Sequence, residues 1–128
     1  MPYTQEITGA AMLLSISIYY LYRRSKIKEE RQHLLIKFRR TQNESLRLED
    51  DLKKYLSQND LHHERAKTIL SDLQQCHASY LSEDLYIKVR DENSVLLRTK
   101  TRRILEIQRK RLKEVRKEMI ELKIKALL

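Results

Sequence analysis

Glycine, proline, phenylalanine and tryptophan are nearly absent from this chain of 128 residues. It has one glycine, one proline, one phenylalanine and no tryptophan, so it lacks the turn formers and bulky side chains from which sheets and globular cores are built. With only Gly9 available, no glycine-rich phosphate-binding loop exists, and no serine lies in a nucleophile elbow. The composition predicts an all-α protein that is not an enzyme and has no catalytic or cofactor-binding residues.

Cysteine is also scarce, since Cys76 is the only one. It excludes an intrachain disulfide framework, is compatible with a reducing compartment, and leaves an intermolecular disulfide open. His62, His63 and His77 stand near it in the sequence. His62 and His63 are adjacent in the sequence, as are Cys76 and His77. Adjacent residues of a helix point about 100° apart, so neither pair has the i,i+3 or i,i+4 spacing that holds zinc. We therefore predict no metal site and no cofactor.

Charge is abundant and unevenly placed. The formal net charge is +9, and charged residues make up 35% of the chain. Residues 23–40 hold eight basic and two acidic side chains, a net +6. Residues 41–97 hold seven and eleven, a net −4, and residues 98–128 hold twelve and four, a net +8. The two basic blocks flank an acidic middle.

One uncharged run, residues 7–22, precedes the first basic block. A helix of sixteen residues covers ~24 Å, somewhat short of the ~30 Å hydrocarbon core. Tyrosines at its far end suit the headgroup level, and the arginines that follow can snorkel. The run predicts a single transmembrane anchor, with a buried or interface-lying helix and a removed signal or import segment as alternatives. Its defining residues are Ile7, Met12, Leu13, Leu14, Ile16, Ile18, Tyr19, Tyr20, Leu21 and Tyr22.

The flanks of this run predict its orientation. Residues 1–6 form a short, nearly neutral lead, whereas the basic cluster after Tyr22 favours the cytoplasmic face. A short, moderately apolar first helix with a basic flank resembles the signal anchors of the mitochondrial outer membrane and of the endoplasmic reticulum. We therefore expect a single-pass protein of one of these membranes, with the remainder of the chain facing the cytosol.

Residues 23–80 carry a heptad pattern with alternating steps of three and four. A seam sustained over several heptads predicts a coiled coil, reaching ~87 Å if it is one straight helix. Arg31, Thr41, Ser45, Asn59 and His62 interrupt the seam. Its named apolar members are Ile27, Leu34, Phe38, Leu48, Leu52, Tyr55, Ile69, Leu73 and Tyr80. Glu49 and Lys54 fall off the seam, so their charge reversal is expected to change little.

Three places along the chain have the features of helix starts. Thr41 with Glu44 matches a capping box, and Ser57 with Asp60 is a second candidate, so a kink near either position is an alternative to one continuous helix. At residues 81–84 the heptad register fails, and Ser82 followed by two carboxylates is typical of a new helix N-terminus. We predict a break or turn there.

Residues 85–128 predict a basic amphipathic helix. Its second seam contains Leu105, Leu112, Val115, Met119 and Leu122, with Gln108 as a polar member. The remaining surface is dominated by lysine and arginine. This basic patch comprises Arg98, Lys100, Arg102, Arg103, Arg109, Lys110, Arg111, Lys113, Arg116 and Lys117.

Three classes of function fit this sequence. The first, which we favour, is a membrane-anchored coiled-coil adaptor, tether or assembly subunit, acting as a homodimer or with a helical protein partner. The second is a nucleic-acid- or ribosome-contacting protein, which we favour less because no aromatic residue is interleaved with the distal basic residues. The third is a helix that binds anionic lipid. A hairpin turned at 82–83 would gain no overall charge complementarity, so the basic excess points to an acidic partner or to a merely solvated face.

Overall fold

The computed structural model describes residues 2–58 and 64–127, with the side chains of all of these except residues 2–5 and 126. This part of the chain forms four α-helices: α1 Pro2–Gln58, α2 Glu64–Tyr80, α3 Glu83–Asp91 and α4 Val95–Leu127. The prediction of an all-α protein is confirmed. Contacts divide the chain into two units, Met1–His33 and Leu34–Leu128.

The predicted transmembrane anchor is wrong. Among the helices described, none combines the length and the apolar character that crossing a bilayer requires. The uncharged run has only sixteen residues, and Thr8, two serines and three tyrosines dilute its apolar side chains, so any wider window takes in polar or charged neighbours. The anchor residues are instead 61–69% exposed along α1: Ile7, Met12, Leu13, Leu14, Ile16, Ile18, Tyr19, Tyr20, Leu21 and Tyr22.

In the second unit, α2 runs antiparallel to the adjoining part of α1. Gln42 Nε2 donates to the carbonyl oxygen of Leu81 at 2.8 Å. One turn further along α1, Ser45 Oγ lies 3.3 Å from Nδ1 of His77. As the residue number rises in α1 it falls in α2, which fixes the direction. Helices α1 and α2 therefore run in opposite directions, so residues 23–80 do not form one straight helix.

Helix α4 completes a bundle by packing on both α1 and α2. Ion pairs join Arg65 to Glu118 at 3.0 Å and Asp72 to Arg111 at 3.7 Å, so α4 is antiparallel to α2. Because α2 is also antiparallel to α1, helices α1 and α4 run parallel. Arg116 pairs with Glu44 between them.

The core of this unit consists of two apolar clusters. One contains Leu48, Leu52, Tyr55, Ala66, Ile69, Leu73, Leu112, Val115 and Met119. The other contains Leu34, Phe38, Leu81, Val89 and Leu105. Between them along α1 lie Thr41 and Ser45, both buried, and Thr41 Oγ1 donates to the carbonyl oxygen of Lys37 at 2.8 Å. Thr41 therefore lies inside a continuous helix, and the alternative helix start there does not occur.

The chain breaks between α2 and α3 at Ser82. Its backbone is extended, with φ −70° and ψ 153°, and its hydroxyl accepts a hydrogen bond from the amide of Leu85. Ser94 has the same role before α4, where it accepts from the amide of Leu97 at 3.2 Å. Short polar side chains thus satisfy the free amides at both helix starts, as serine does at N-caps.

The apolar seam residues now have definite places. Eleven of the fourteen named members are buried: Leu34, Phe38, Leu48, Leu52, Tyr55, Ile69, Leu73, Leu105, Leu112, Val115 and Met119. Ile27 and Leu122 are half-buried, whereas Tyr80 is 43% exposed at the end of α2. Asn59, His62 and the proposed start at Ser57–Asp60 extend into residues 59–63, outside the described part. The buried members of the second unit pack against one another within the chain, but not as the hairpin turned at 82–83, because α1 and α4 run parallel.

Candidate functional site

Helix α4 uses one face for the core and presents the other to solvent. Its buried positions recur in steps of three and four: Arg98, Thr101, Leu105, Gln108, Leu112, Val115 and Met119. A residue three or four positions from a buried one lies on the same face, so the positions between them point outward. The apolar side of α4 is largely occupied inside the bundle, and what remains for a partner is mainly charged.

One member of the predicted basic patch does not belong to this exposed surface. Arg98 is only 5% exposed, and its Nη1 donates to Oδ1 of Asn93 at 3.1 Å. The patch therefore loses Arg98, because its guanidinium is used locally at the start of α4. The other nine members are exposed: Lys100, Arg102, Arg103, Arg109, Lys110, Arg111, Lys113, Arg116 and Lys117.

The exposed basic residues of α4 form a regular stripe. Three pairs of exposed basic residues, beginning at Arg102, recur at seven-residue steps, and Lys123 continues the repeat as a single residue. A seven-residue step is close to two helical turns, or ~10.5 Å along the axis, so the pairs line up along one side. We call this set the α4 stripe: Arg102, Arg103, Arg109, Lys110, Arg116, Lys117 and Lys123.

The side of α4 that faces α2 is balanced in charge. An open groove of about 420 Å³ runs between these helices. The ion pairs Arg65–Glu118 and Asp72–Arg111 lie along it. Glu114 and Lys110 add one carboxylate and one ammonium group to its lining. Acidic and basic groups neutralise one another here, so this groove does not carry the basic excess.

The side of α4 that faces α1 differs because basic residues lie on both helices. Arg116 pairs with Glu44 of α1, so these two residues mark the sides of α4 and α1 that face each other. Arg40 and Arg47 lie four residues before and three residues after Glu44, so they share its side of α1. Lys54 follows seven residues after Arg47. We call these three exposed residues the α1 row: Arg40, Arg47 and Lys54.

Perturbed ionisation is found away from this surface, beside α3. The side-chain hydrogen bond from Arg39 lowers the pKa of Glu83, and the same bond raises the pKa of Arg39. Likewise, the bond to Asp91 raises the pKa of Arg90. All three shifts strengthen the charged forms of exposed ion-paired groups. None of the three shifts brings a pKa toward neutral pH, so none of these groups becomes a general acid or base there.

The histidines and the cysteine are not assembled into a metal centre in the described residues, where no group of three histidine, cysteine, aspartate or glutamate side chains is placed to hold an ion. His77 contacts Ser45. Cys76 is a free, half-buried thiol. His62 and His63 lie outside the described residues.

Two parts of the candidate surface were not identified from the sequence. Lys123 continues the α4 stripe, and its signal was the repeat of basic residues at 102, 109, 116 and 123. The α1 row has the same seven-residue spacing, but it lies in a stretch whose net charge is nearly neutral. The net charge of this stretch therefore does not indicate a basic row. The two rows come together only because α1 pairs with α4.

Comparison with known proteins adds no identity to this geometry: no family model matches the chain, and searches of curated proteins and of solved structures find no match.

Proposed function

We propose that this chain is a non-enzymatic helical interaction protein, an adaptor or assembly subunit, that binds an acidic partner through the exposed face of α4. The observation that carries the proposal is the division of α4 into two faces. One face is buried among α1 and α2, while the α4 stripe remains in solvent.

Charge gives the proposal its chemistry. Exposed ion pairs contribute only about 0.2–1 kcal/mol each, so binding needs several of them acting together along the helix. The α4 stripe supplies seven cationic side chains over ~32 Å, arranged along one side of a rigid helix. Such an array favours a partner with carboxylates spread over a similar length and makes its affinity sensitive to salt.

The test is a binding measurement with the full chain and a fluorescent acidic helical peptide of about four heptads. The variant Arg103→Gln with Lys110→Gln and Lys117→Gln removes three charges from the outer edge of the stripe. We expect it to bind about tenfold more weakly than the parent chain.

A matched control removes three charges elsewhere. Lys53→Gln with Lys67→Gln and Lys88→Gln changes exposed lysines of α1, α2 and α3 and leaves the net charge equal to that of the first variant. This control should bind like the parent chain. Equal weakening of both variants would show that the peptide senses only net charge, and the proposal would then be wrong.

A further inference from the structure

Helices α1 and α4 pack side by side, and we call the outer surface along their Glu44–Arg116 contact the groove between α1 and α4. Glu44 and Arg116 meet across it. Arg109 and Lys123 lie seven residues on either side of Arg116 and so continue along the same edge of α4. The α1 row lies on the opposite border. Because α1 and α4 run parallel, the two rows extend side by side.

The surface along this groove is not uniformly basic. Glu44 and Asp51 lie seven residues apart on the α1 side and are both half-buried. On the α4 side, Ile120 follows Arg116 by one turn and is 52% exposed. The groove therefore has cationic borders, two carboxylates and an exposed aliphatic side chain.

This combination discriminates between acidic partners. A nucleic acid would place phosphates beside Glu44 and Asp51, and α4 contains no aromatic residue on which bases could stack. An amphipathic helix instead has an apolar edge for Ile120, carboxylates for the basic rows and its own lysines or arginines for the two carboxylates. The observations favour a helix of another protein.

We propose that the groove between α1 and α4 binds one acidic, amphipathic α-helix from a partner protein, held between the α1 row and the α4 stripe. This inference rests on the proposed function. It adds the α1 row as a second binding surface and specifies the class of partner. Packed helices lie about 8–10 Å apart, so a helix about 10 Å across bridges both rows. Its carboxylates at every seventh position repeat at the same ~10.5 Å as the basic residues.

The decisive variant is Arg40→Gln with Arg47→Gln and Lys54→Gln, which changes α1 only. With the full chain and the same acidic helical peptide, we expect binding to weaken about tenfold. The control of three lysines on other faces should bind like the parent chain. Far-UV circular dichroism and the urea midpoint of each variant establish that the fold is intact.

The outcomes separate this inference from the proposed function. If the α4 variant weakens binding and the α1 variant does not, the α1 row is not part of the binding site, while the proposed function of the α4 stripe is supported. If neither variant weakens binding, both are wrong.

A second measurement identifies the class of partner. Ile120→Ser should weaken peptide binding several-fold, because a helix loses its apolar contact. A duplex RNA of similar length should bind more weakly than the peptide at about 0.15 M salt and should be insensitive to this change. Tighter binding of the RNA, through the same basic residues, would assign the groove to nucleic acid and overturn the inference.

Discussion

Arg39 of α1 donates two hydrogen bonds to the carboxylate of Glu83 of α3, from Nη1 to Oε2 at 2.5 Å and from Nη2 to Oε1 at 2.7 Å. Its guanidinium carbon also lies 3.7 Å from the centre of the Tyr86 ring. One side chain of α1 thus contacts two residues of the first turn of α3. Bidentate geometry and stacking on an aromatic face are properties of arginine that lysine does not share.

This contact predicts how stability responds to acid. Because Arg39 lowers the pKa of Glu83, the carboxylate stabilises the fold at pH above the unfolded-state value, about 4.3, and that contribution is lost as pH falls through the lower folded-state value. Glu83→Gln should therefore lower the melting temperature at pH 7 and flatten its decline below about pH 4.3.

The matched control for this prediction is Asp84→Asn, since Asp84 is the exposed neighbour of Glu83 in the same helical turn. The control should retain the acid dependence of the parent chain. Identical pH profiles for Glu83→Gln and the parent would contradict the role of the Arg39 contact.

Phe38 is the central side chain of the smaller apolar cluster. It is fully buried, and its ring meets that of Tyr86 edge to face with centroids 5.7 Å apart. Phe38→Ala should lower the free energy of unfolding by about 3–5 kcal/mol, measured by urea denaturation. Ile36→Ala removes an aliphatic side chain that is 51% exposed, two residues away. A loss for Ile36→Ala as large as that for Phe38→Ala would show that Phe38 is not in the core.

The break at Ser82 is testable by removal of its hydroxyl. Ser82→Ala leaves the amide of Leu85 without its side-chain acceptor and should cost about 1 kcal/mol, as loss of an N-cap does. Ser79→Ala, at an exposed position inside α2, should not destabilise the chain. Equal effects on the urea midpoint would contradict the capping role.

Glu49 behaves differently in the structure from its place in the heptad pattern. The pattern puts it off the seam and predicts that its charge reversal changes little, yet it is only 8% exposed. We expect Glu49→Lys to destabilise the chain by about 1–3 kcal/mol, because a longer side chain of opposite charge must be accommodated at a buried site. Asp50→Lys makes the same change of charge at an exposed position and should stay within about 0.5 kcal/mol of the parent.

The behaviour of Glu49 shows what the sequence could and could not predict. Steps of three and four identified Leu52, Leu73 and Leu112 as one face of each helix, because periodicity reports which side is apolar. It does not report which helix covers that side, and a single helical partner leaves positions such as Glu49 in solvent. Two partners enlarge the buried face. The burial of Glu49 therefore follows from the bundle and not from its own segment.

The candidate surface was predictable to the same extent. The basic character of α4 can be predicted from its own residues. The N-cap at Ser82 can also be predicted locally, because a serine followed by two carboxylates is typical of a helix start. By contrast, the absence of charge at residues 7–22 does not make this run a membrane span, because its serines and tyrosines lower its hydropathy. The α1 row became meaningful only through the parallel pairing of α1 with α4, which joins residues distant in sequence.

That parallel pairing also bears on the order in which the molecule assembles. Ser45 and His77 are separated by 32 residues, whereas Glu44 and Arg116 are separated by 72. Closing the longer loop costs roughly 0.7 kcal/mol more in chain entropy. Pairing of α1 with α4 closes the longest loop among these contacts and is therefore expected to form last. The groove bordered by the two basic rows comes into existence only at this final step, so an acidic helix distinguishes the completed bundle from its precursors.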